Sequence, residues 1–260
     1  MSAPGSGVSR RGERLIAGLR RFTPARIGLG RSGPALPTRE VLALGLAHAR
    51  ARDAVHAQLD LPRLLAELTS LAGPASETPP ALVVRTQAPD RATFLARPDL
   101  GRLLAPGEAA RLGPPAEIVL VVADGLSAVA VDRHAVPLLA ALRRQSSARW
   151  SRAPVVIALQ ARVAIGDAIG PPLRARLVAV LLGERPGLSS PDSLGVYLTF
   201  DPRPGRTDAE RNCISNVRPS GLAYEEAARR VDWLAEAALS RSLTGFDLKD
   251  ESDSNLGELP

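Results

Sequence analysis

Residues 117–127, Glu-Ile-Val-Leu-Val-Val-Ala-Asp-Gly-Leu-Ser, decide the fold class of this chain. Ile118 to Val122 is an unbroken apolar run rich in β-branched residues, the pattern of a strand covered on both faces. Asp124-Gly125-Leu126-Ser127 then turns the chain into a helix, with Ser127 placed to cap it. Downstream the same alternation recurs. Pro154 to Leu159 reads as the next strand, Arg162 to Gly170 as a Gly-rich loop, and Leu177 to Leu182 as a third strand. Leu194 to Phe200 reads as a fourth, and Tyr224 to Leu239 as a closing amphipathic helix. Pro137 is expected to kink or restart the helix that Ser127 opens. Strands alternating with helices predict an α/β protein: a helical N-terminal region followed by a mostly parallel, Rossmann-like sheet with helices on both faces.

Upstream, the pattern is helical. Thr38 is a plausible N-cap for a helix running to about Gln58, and Leu61 to Leu71 continues helically. Residues 72–80 (AGPASETPP) break the pattern, Ala81 to Arg85 adds a short strand, and Arg91 to Leu112 gives short helices between prolines. The expected organisation is a basic, partly disordered arm over 1–35, a helical region over 36–113, an α/β domain over 114–250 and a loose acidic tail over 251–260. Within the arm, residues 1–9 have the Gly/Ser/Pro composition of disorder. Arg10 to Phe22 forms a short basic amphipathic helix, either docking on the body or serving as a targeting or interaction peptide. Gly28-Leu29-Gly30-Arg31-Ser32-Gly33 matches G-x-G-x-x-G literally, but no strand precedes it and Pro34 and Pro37 follow, so the dinucleotide reading fails.

The charge is placed unevenly. The chain has 33 basic and 27 acidic residues. Residues 1–60 hold ten Arg and four acids, leaving 23 of each sign elsewhere, so the excess of +6 belongs to the N-terminal region. Lys249 is the single lysine, and coding bias is the plain reading of so much arginine. Aromatics make up 3% of the chain, too few for base-stacking platforms, so no nucleic-acid partner is expected. One cysteine rules out an internal disulfide and a cysteine zinc site and fits a cytoplasmic location. No apolar run is long enough to span a membrane.

Function is sought at strand ends, where open α/β sheets present ligands. Two long polar loops qualify, both within Val180–Pro219 (VLLGERPGLSSPDSLGVYLTFDPRPGRTDAERNCISNVRP). One follows the third strand and carries Glu184. The other follows the fourth and carries Cys213. No G-x-S-x-G elbow or Walker A loop is present. His48, Arg52 and His56 share one helical face, but the two histidines lie about 12 Å apart along the axis, too far for one ion. A polar interface or a buried hydrogen-bond network suits them better, and no metal site is expected.

The stretches GERPGLSSPDSLG (183–195) and RTDAERNCISN (206–216) resemble the small, or light, subunit of ethanolamine ammonia-lyase. So do Phe22–His56, Val121–Ala135 and RVAIGDAIG (162–170), and together they span residues 22 to about 250. The resemblance implies a hetero-oligomer with a large subunit that holds the substrate, the pair sharing adenosylcobalamin at their interface. It implies conversion of ethanolamine to acetaldehyde and ammonia by a radical mechanism, with no catalytic residue on this chain. It also adds a bacterial microcompartment as a setting within the cytoplasm. The family's cofactor-contacting positions fall on Val163, Glu184 and Cys213, with Asp124 and Ser127 as weaker candidates in a neighbouring strand-end loop. The plain structural alternatives are a core Val, a turn-stabilising Glu and an inert thiol. Asp132-Arg133-His134-Ala135-Val136-Pro137 falls one residue short of the D-x-H-x-x-G signature of base-off cobalamin proteins. Proline stands where the glycine is needed and His134 lies well inside a helix, so the cofactor's own base is expected to stay on cobalt. The reading from another class is a non-enzymatic assembly or targeting module that uses the basic arm.

Overall fold

The computed structural model describes residues 10–23, 25–72 and 81–253. Residues 1–9, most of the 72–80 break and the end of the tail (254–260) lie outside the described residues. In chain order the elements are α1 (Arg10–Leu19), α2 (Thr38–His56), α3 (Leu61–Ala72), β1 (Leu82–Arg85), α4 (Arg91–Ala96) and α5 (Glu108–Arg111). These are followed by β2 (Ile118–Ala123), α6 (Ala128–Gln145), α7 (Ser147–Trp150), β3 (Val155–Leu159), α8 (Ile165–Ile169), β4 (Leu177–Gly183), β5 (Leu194–Phe200), β6 (Asn212–Val217) and α9 (Tyr224–Arg241). No helix among the described residues is long and apolar enough to cross a membrane.

The fold is α/β, built on one six-stranded sheet of order β1-β3-β2-β4-β5-β6. Four of its six strands are parallel: β1 pairs with β3, β3 with β2 and β2 with β4 in parallel. β5 and β6 are added antiparallel. The expectation of a mostly parallel sheet therefore holds for β1 to β4 alone. A ten-residue loop from β4 to β5 has no helix to carry the chain back across the sheet, so the strand must return beside its neighbour.

Strand β2 sits in the middle and every residue of it is buried, as its unbroken apolar run requires. Leu120 and Val122 face α6 and α9, packing with Leu138, Leu142, Val231 and Leu234. Val119 and Val121 face the other side, against Ile165 and Ile169 of α8. Each such side chain contributes about 1.5–3 kcal/mol relative to leaving it in water. Helix α6 starts where Ser127 caps it, its Oγ accepting from the Ala130 amide at 3.3 Å. It then runs through Pro137 without restarting there.

Three further expectations change. Thr38 opens α2 but makes no side-chain cap. The supposed Gly-rich loop 162–170 contains α8, because Gly166 lets that helix settle on the sheet: a Cβ there would lie 2.8 Å from Val180 Cγ2. The tail is not loose where it begins, since Arg229 donates to the Ser252 carbonyl at 2.7 Å and pairs with Asp253 at 2.6 Å.

Helix α2 buries only Ala54. Val41, Leu42, Leu44 and Leu46 are exposed along it, as are Leu15, Leu19 and Phe22 of the arm. His48, Arg52 and His56 also face solvent, so the buried network considered for them does not form.

Candidate functional site

The connections leaving β2 and β3 depart to opposite faces of the sheet, since α6 packs on one and α8 on the other. Such a divergence opens a crevice at the carboxyl ends of the strands. Asp124 closes its floor. The carboxylate is buried and accepts from the amides of Gln160 and Ala161, both at 3.0 Å, tying the end of β2 to the end of β3. Burial raises its pKa, opposed by those two amides and by Arg91, whose Nη1 lies 3.8 Å away.

Two adjoining clefts open above this floor. One, of about 380 Å³, is lined by Gly125, Leu126, Arg162, Glu184, Arg185 and Tyr197, among others. The second, of about 280 Å³, is lined by Val163, Leu182, Tyr197, Asp208, Arg211 and Cys213. Leu182 and Tyr197 belong to both, so the clefts share a wall. The three principal candidates, from three separate stretches of the chain, thus line clefts with a common wall.

Glycine makes the crevice possible at two points. Gly125 has φ +56°, and a Cβ on it would lie 2.2 Å from the Gly183 carbonyl oxygen. At Gly183 itself a Cβ would meet the Ser127 carbonyl oxygen at 2.1 Å. The ends of β2 and β4 therefore touch backbone to backbone, which no side chain permits.

Glu184 follows β4 directly. Its Oε2 accepts a very short hydrogen bond from Ser193 Oγ and a longer one, 3.4 Å, from the Asn216 amide. That amide is turned toward it by an irregularity in the β5–β6 ladder, where Asn216 adopts φ +60°. Oε1 takes no hydrogen bond among the described residues and lies over Gly195, where a Cβ would approach it to 2.7 Å. One oxygen holds the loop and the other is left to accept.

Cys213 was expected in a loop; it lies in β6, directly across from Tyr197 of β5. Asn-Cys-Ile-Ser-Asn-Val offers only Ile214 and Val217 to the core, as suits an edge strand with one open face. The thiol is exposed, yet its surroundings dehydrate it enough to raise its pKa despite the interaction with Tyr197. A raised pKa keeps the thiol protonated, and it is the thiolate that acts as a nucleophile. Burial likewise pushes the Tyr197 phenol up. Val163 stands on the facing wall, at the turn into α8, and its carbonyl accepts from Gly166 at 3.2 Å.

The two walls of the smaller cleft are locked by a buried ion pair. Arg211, just before β6, donates to both oxygens of Asp167 on α8 at 2.8 and 2.6 Å, and to Thr199 Oγ1 at 2.8 Å. Burial opposes its charge, but the Asp167 contacts outweigh that and raise its pKa.

The weaker candidates are occupied within the scaffold. Both oxygens of Asp124 are engaged as described, and Ser127 Oγ donates to the Pro191 carbonyl at 2.9 Å. His134 is buried inside α6, its Nδ1 2.8 Å from the Tyr224 hydroxyl and its Nε2 3.5 Å from Asp192, and it lines neither cleft. Sequence reasoning did not single out Arg162, Arg185, Tyr197 or Arg211. The first two were adjacent to candidates in the quoted stretches, and Tyr197 is one of only two tyrosines.

The profile of the ethanolamine ammonia-lyase light chain matches residues 13–249. This chain belongs to that family. Among its members, the ethanolamine ammonia-lyase small subunit of Bradyrhizobium diazoefficiens is 53% identical over 240 residues, covering 90% of each chain. That of Rhodopseudomonas palustris is 52% identical over 239 residues, covering 90% of this chain and 89% of the relative. That of Azotobacter vinelandii is 52% identical over 243 residues, covering 90% and 88%. The light-chain match takes in every cleft-lining residue named above and all of α2, and the relatives carry the name of a lyase component.

Proposed function

We propose that this chain is the small subunit of an adenosylcobalamin-dependent ethanolamine ammonia-lyase, covering the nucleotide side of the cofactor at the interface with a large subunit. The observation that carries this is the convergence of Val163, Glu184 and Cys213 on two adjoining clefts that share Leu182 and Tyr197. Glu184 stands at the carboxyl end of β4, and Cys213 lies across the sheet from the middle of that strand. The family name supplies the enzyme and the partner. Cobalamin is what the family resemblance implies, and the chemistry of the donors is compatible with it.

The residues fit a nucleotide tail. Glu184 Oε1 is an unengaged acceptor suited to an amide or a ribose hydroxyl. Cys213 and Val163 give a small, weakly polar contact and an apolar wall. Arg162 Nε is buried without a partner, so the larger cleft is incomplete as a protein surface. His134 lines neither cleft and its nitrogens face Tyr224 and Asp192, so this chain would offer no imidazole to a bound cobalamin.

When bound, the cofactor supplies homolytic cobalt–carbon chemistry. This chain holds the tail in place, excludes water from that side and contributes no catalytic residue. Asp124, Ser127 and the Arg211–Asp167 pair hold the loops that carry the contact groups. Substrate binding belongs to the large subunit.

Reconstitution tests the reading. The isolated chain, given ethanolamine and adenosylcobalamin, is expected to release no acetaldehyde, and activity is expected once the large subunit is added. Turnover by the rigorously purified single chain would overturn the division of labour.

A further inference from the structure

Arg162 is the anomaly of the larger cleft. Its backbone is fixed, the amide donating to the Gly101 carbonyl at 2.8 Å. Its guanidinium is fixed too, 4.5 Å from the Phe94 ring centre. Yet the side chain makes no hydrogen bond or ion pair among the described residues, and Nε is buried without a partner. Other arginines withdrawn from solvent do find partners: Arg91 donates to the Val55 and Gly125 carbonyls, and Arg211 to both oxygens of Asp167. A guanidinium held rigidly and left unpaired is poised for something else.

Its surroundings deepen the charge imbalance. Arg91 lies against the same ring, 5.0 Å from its centre, and Arg185 lines the same cleft. Asp124 lies 3.8 Å from Arg91 and spends its hydrogen bonds on the Gln160 and Ala161 amides. Burial lowers the pKa of Arg162, and repulsion from Arg91, Arg102 and Arg185 lowers it further against the attraction of Asp124 alone. Glu184 across the cleft is tethered to Ser193 and Asn216. Two guanidiniums, Arg162 and Arg185, thus share the cleft with the single carboxylate of Glu184, which leaves an excess of positive charge, and a planar fork of donors suits a phosphate oxygen pair.

We infer that Arg162, with Arg185 beside it on the rim, binds the phosphodiester of the cobalamin nucleotide tail. The inference rests on the function proposed above and adds to it the anionic group of the ligand and the residues that take it. The tail carries one such diester, a monoanion. A single guanidinium matches that charge, and the second draws it in and strengthens the field.

The experiment uses the complex with the large subunit, titrated spectroscopically with cobalamin and with cobinamide, which keeps the corrin but lacks the phosphate and nucleotide. Wild type is expected to prefer cobalamin. Arg162→Gln should lose roughly 5- to 150-fold in cobalamin affinity, the range for one lost partner of a charged group, with cobinamide affinity unchanged. Arg162→Lys should recover part of it. Arg185→Gln, a change at an exposed residue that leaves folding undisturbed, should show a smaller loss with the same selectivity. If wild type does not distinguish the two corrinoids, the nucleotide-side reading itself fails. If wild type does, but both Gln variants match it, that reading stands and the assignment of the arginines is overturned. Equal losses for both corrinoids would make Arg162 a scaffold residue and overturn it as well. Inorganic phosphate separates the remaining source. Phosphate bound to the wild-type complex that cobalamin cannot displace would assign the arginines to a free anion, whereas displacement, or no binding, accords with the diester.

Discussion

Arg211 and Asp167 face each other through two parallel hydrogen bonds, 2.8 and 2.6 Å long, with both side chains almost wholly withdrawn from solvent. One residue precedes β6 and the other lies on α8, so the pair fixes the spacing between the wall carrying Cys213 and the wall carrying Val163. Asp167→Asn keeps the shape but strands a buried guanidinium. Breaking such a pair costs about 3–5 kcal/mol, expected as a lower midpoint in urea unfolding. The double variant Arg211→Met with Asp167→Leu should recover much of that loss.

Contact between the ends of β2 and β4 sets a second expectation. Gly183→Ala drives a methyl group into the Ser127 and Asp124 carbonyls, at 2.1 and 2.6 Å, and neither is a flexible side chain. Overpacking of this kind costs about 1–3 kcal/mol. Gly113→Ala, which meets nothing within 4 Å, is the control and should unfold at the wild-type temperature. Thermal unfolding of the two variants side by side decides the matter.

Glu184 and Cys213 are predicted to act on the cofactor rather than on the fold. Glu184→Gln keeps the volume and weakens an acceptor, and Cys213→Ser changes contact polarity. Both should raise the cobalamin dissociation constant of the assembled complex, Glu184→Gln by roughly 5- to 150-fold. Subunit assembly and the KM for ethanolamine should stay near wild type. Unaltered cobalamin affinity with a lower melting temperature would return both residues to a purely structural role.

His134 gives a pH dependence of known sign. Burial lowers its pKa below the ordinary 6.5, against the pull of Asp192. The unfolded chain therefore takes up this proton first. The stability it contributes is complete above pH 6.5 and is lost as pH falls from there through the folded-state pKa. Urea unfolding from pH 7.5 down to pH 5 should show this slope, and His134→Gln should flatten it. The same variant in the assembled complex should leave the cobalamin spectrum base-on. Loss of the axial nitrogen signal would make His134 the ligand.

Legibility in the sequence followed burial. β2 announced itself because both its faces are covered and no polar residue interrupts it. β6 did not, because an edge strand with one open face carries Asn, Ser and Asn in a six-residue span. Helix α8 is too short to have a periodicity and exists because Ile165 and Ile169 find the sheet beneath them. Glu184 and Cys213 stood out in polar stretches after strands, although Cys213 lies in β6, and Val163 came only through the family resemblance. Arg162 and Tyr197 had little local signal beyond the one's place beside Val163 and the other's rarity as a tyrosine. What distinguishes them is a missing partner in one case and a shared cleft wall in the other, and both are properties of three-dimensional neighbours.

The ladder irregularity at Asn216 has a second effect, at the outer margin of the sheet. β6 is the last strand on its side, and a long flat margin of unpaired amides invites another chain to add on. At one end of β6 the Asn212 side chain is stapled to the main chain of Gly245 and Leu248. At the other, Asn216 turns its amide inward to Glu184. Only a few residues of straight strand lie between, too short a template for strand-by-strand growth. The residue that orients a carboxylate in the cleft also shortens the stretch of open strand edge on which another chain could pair.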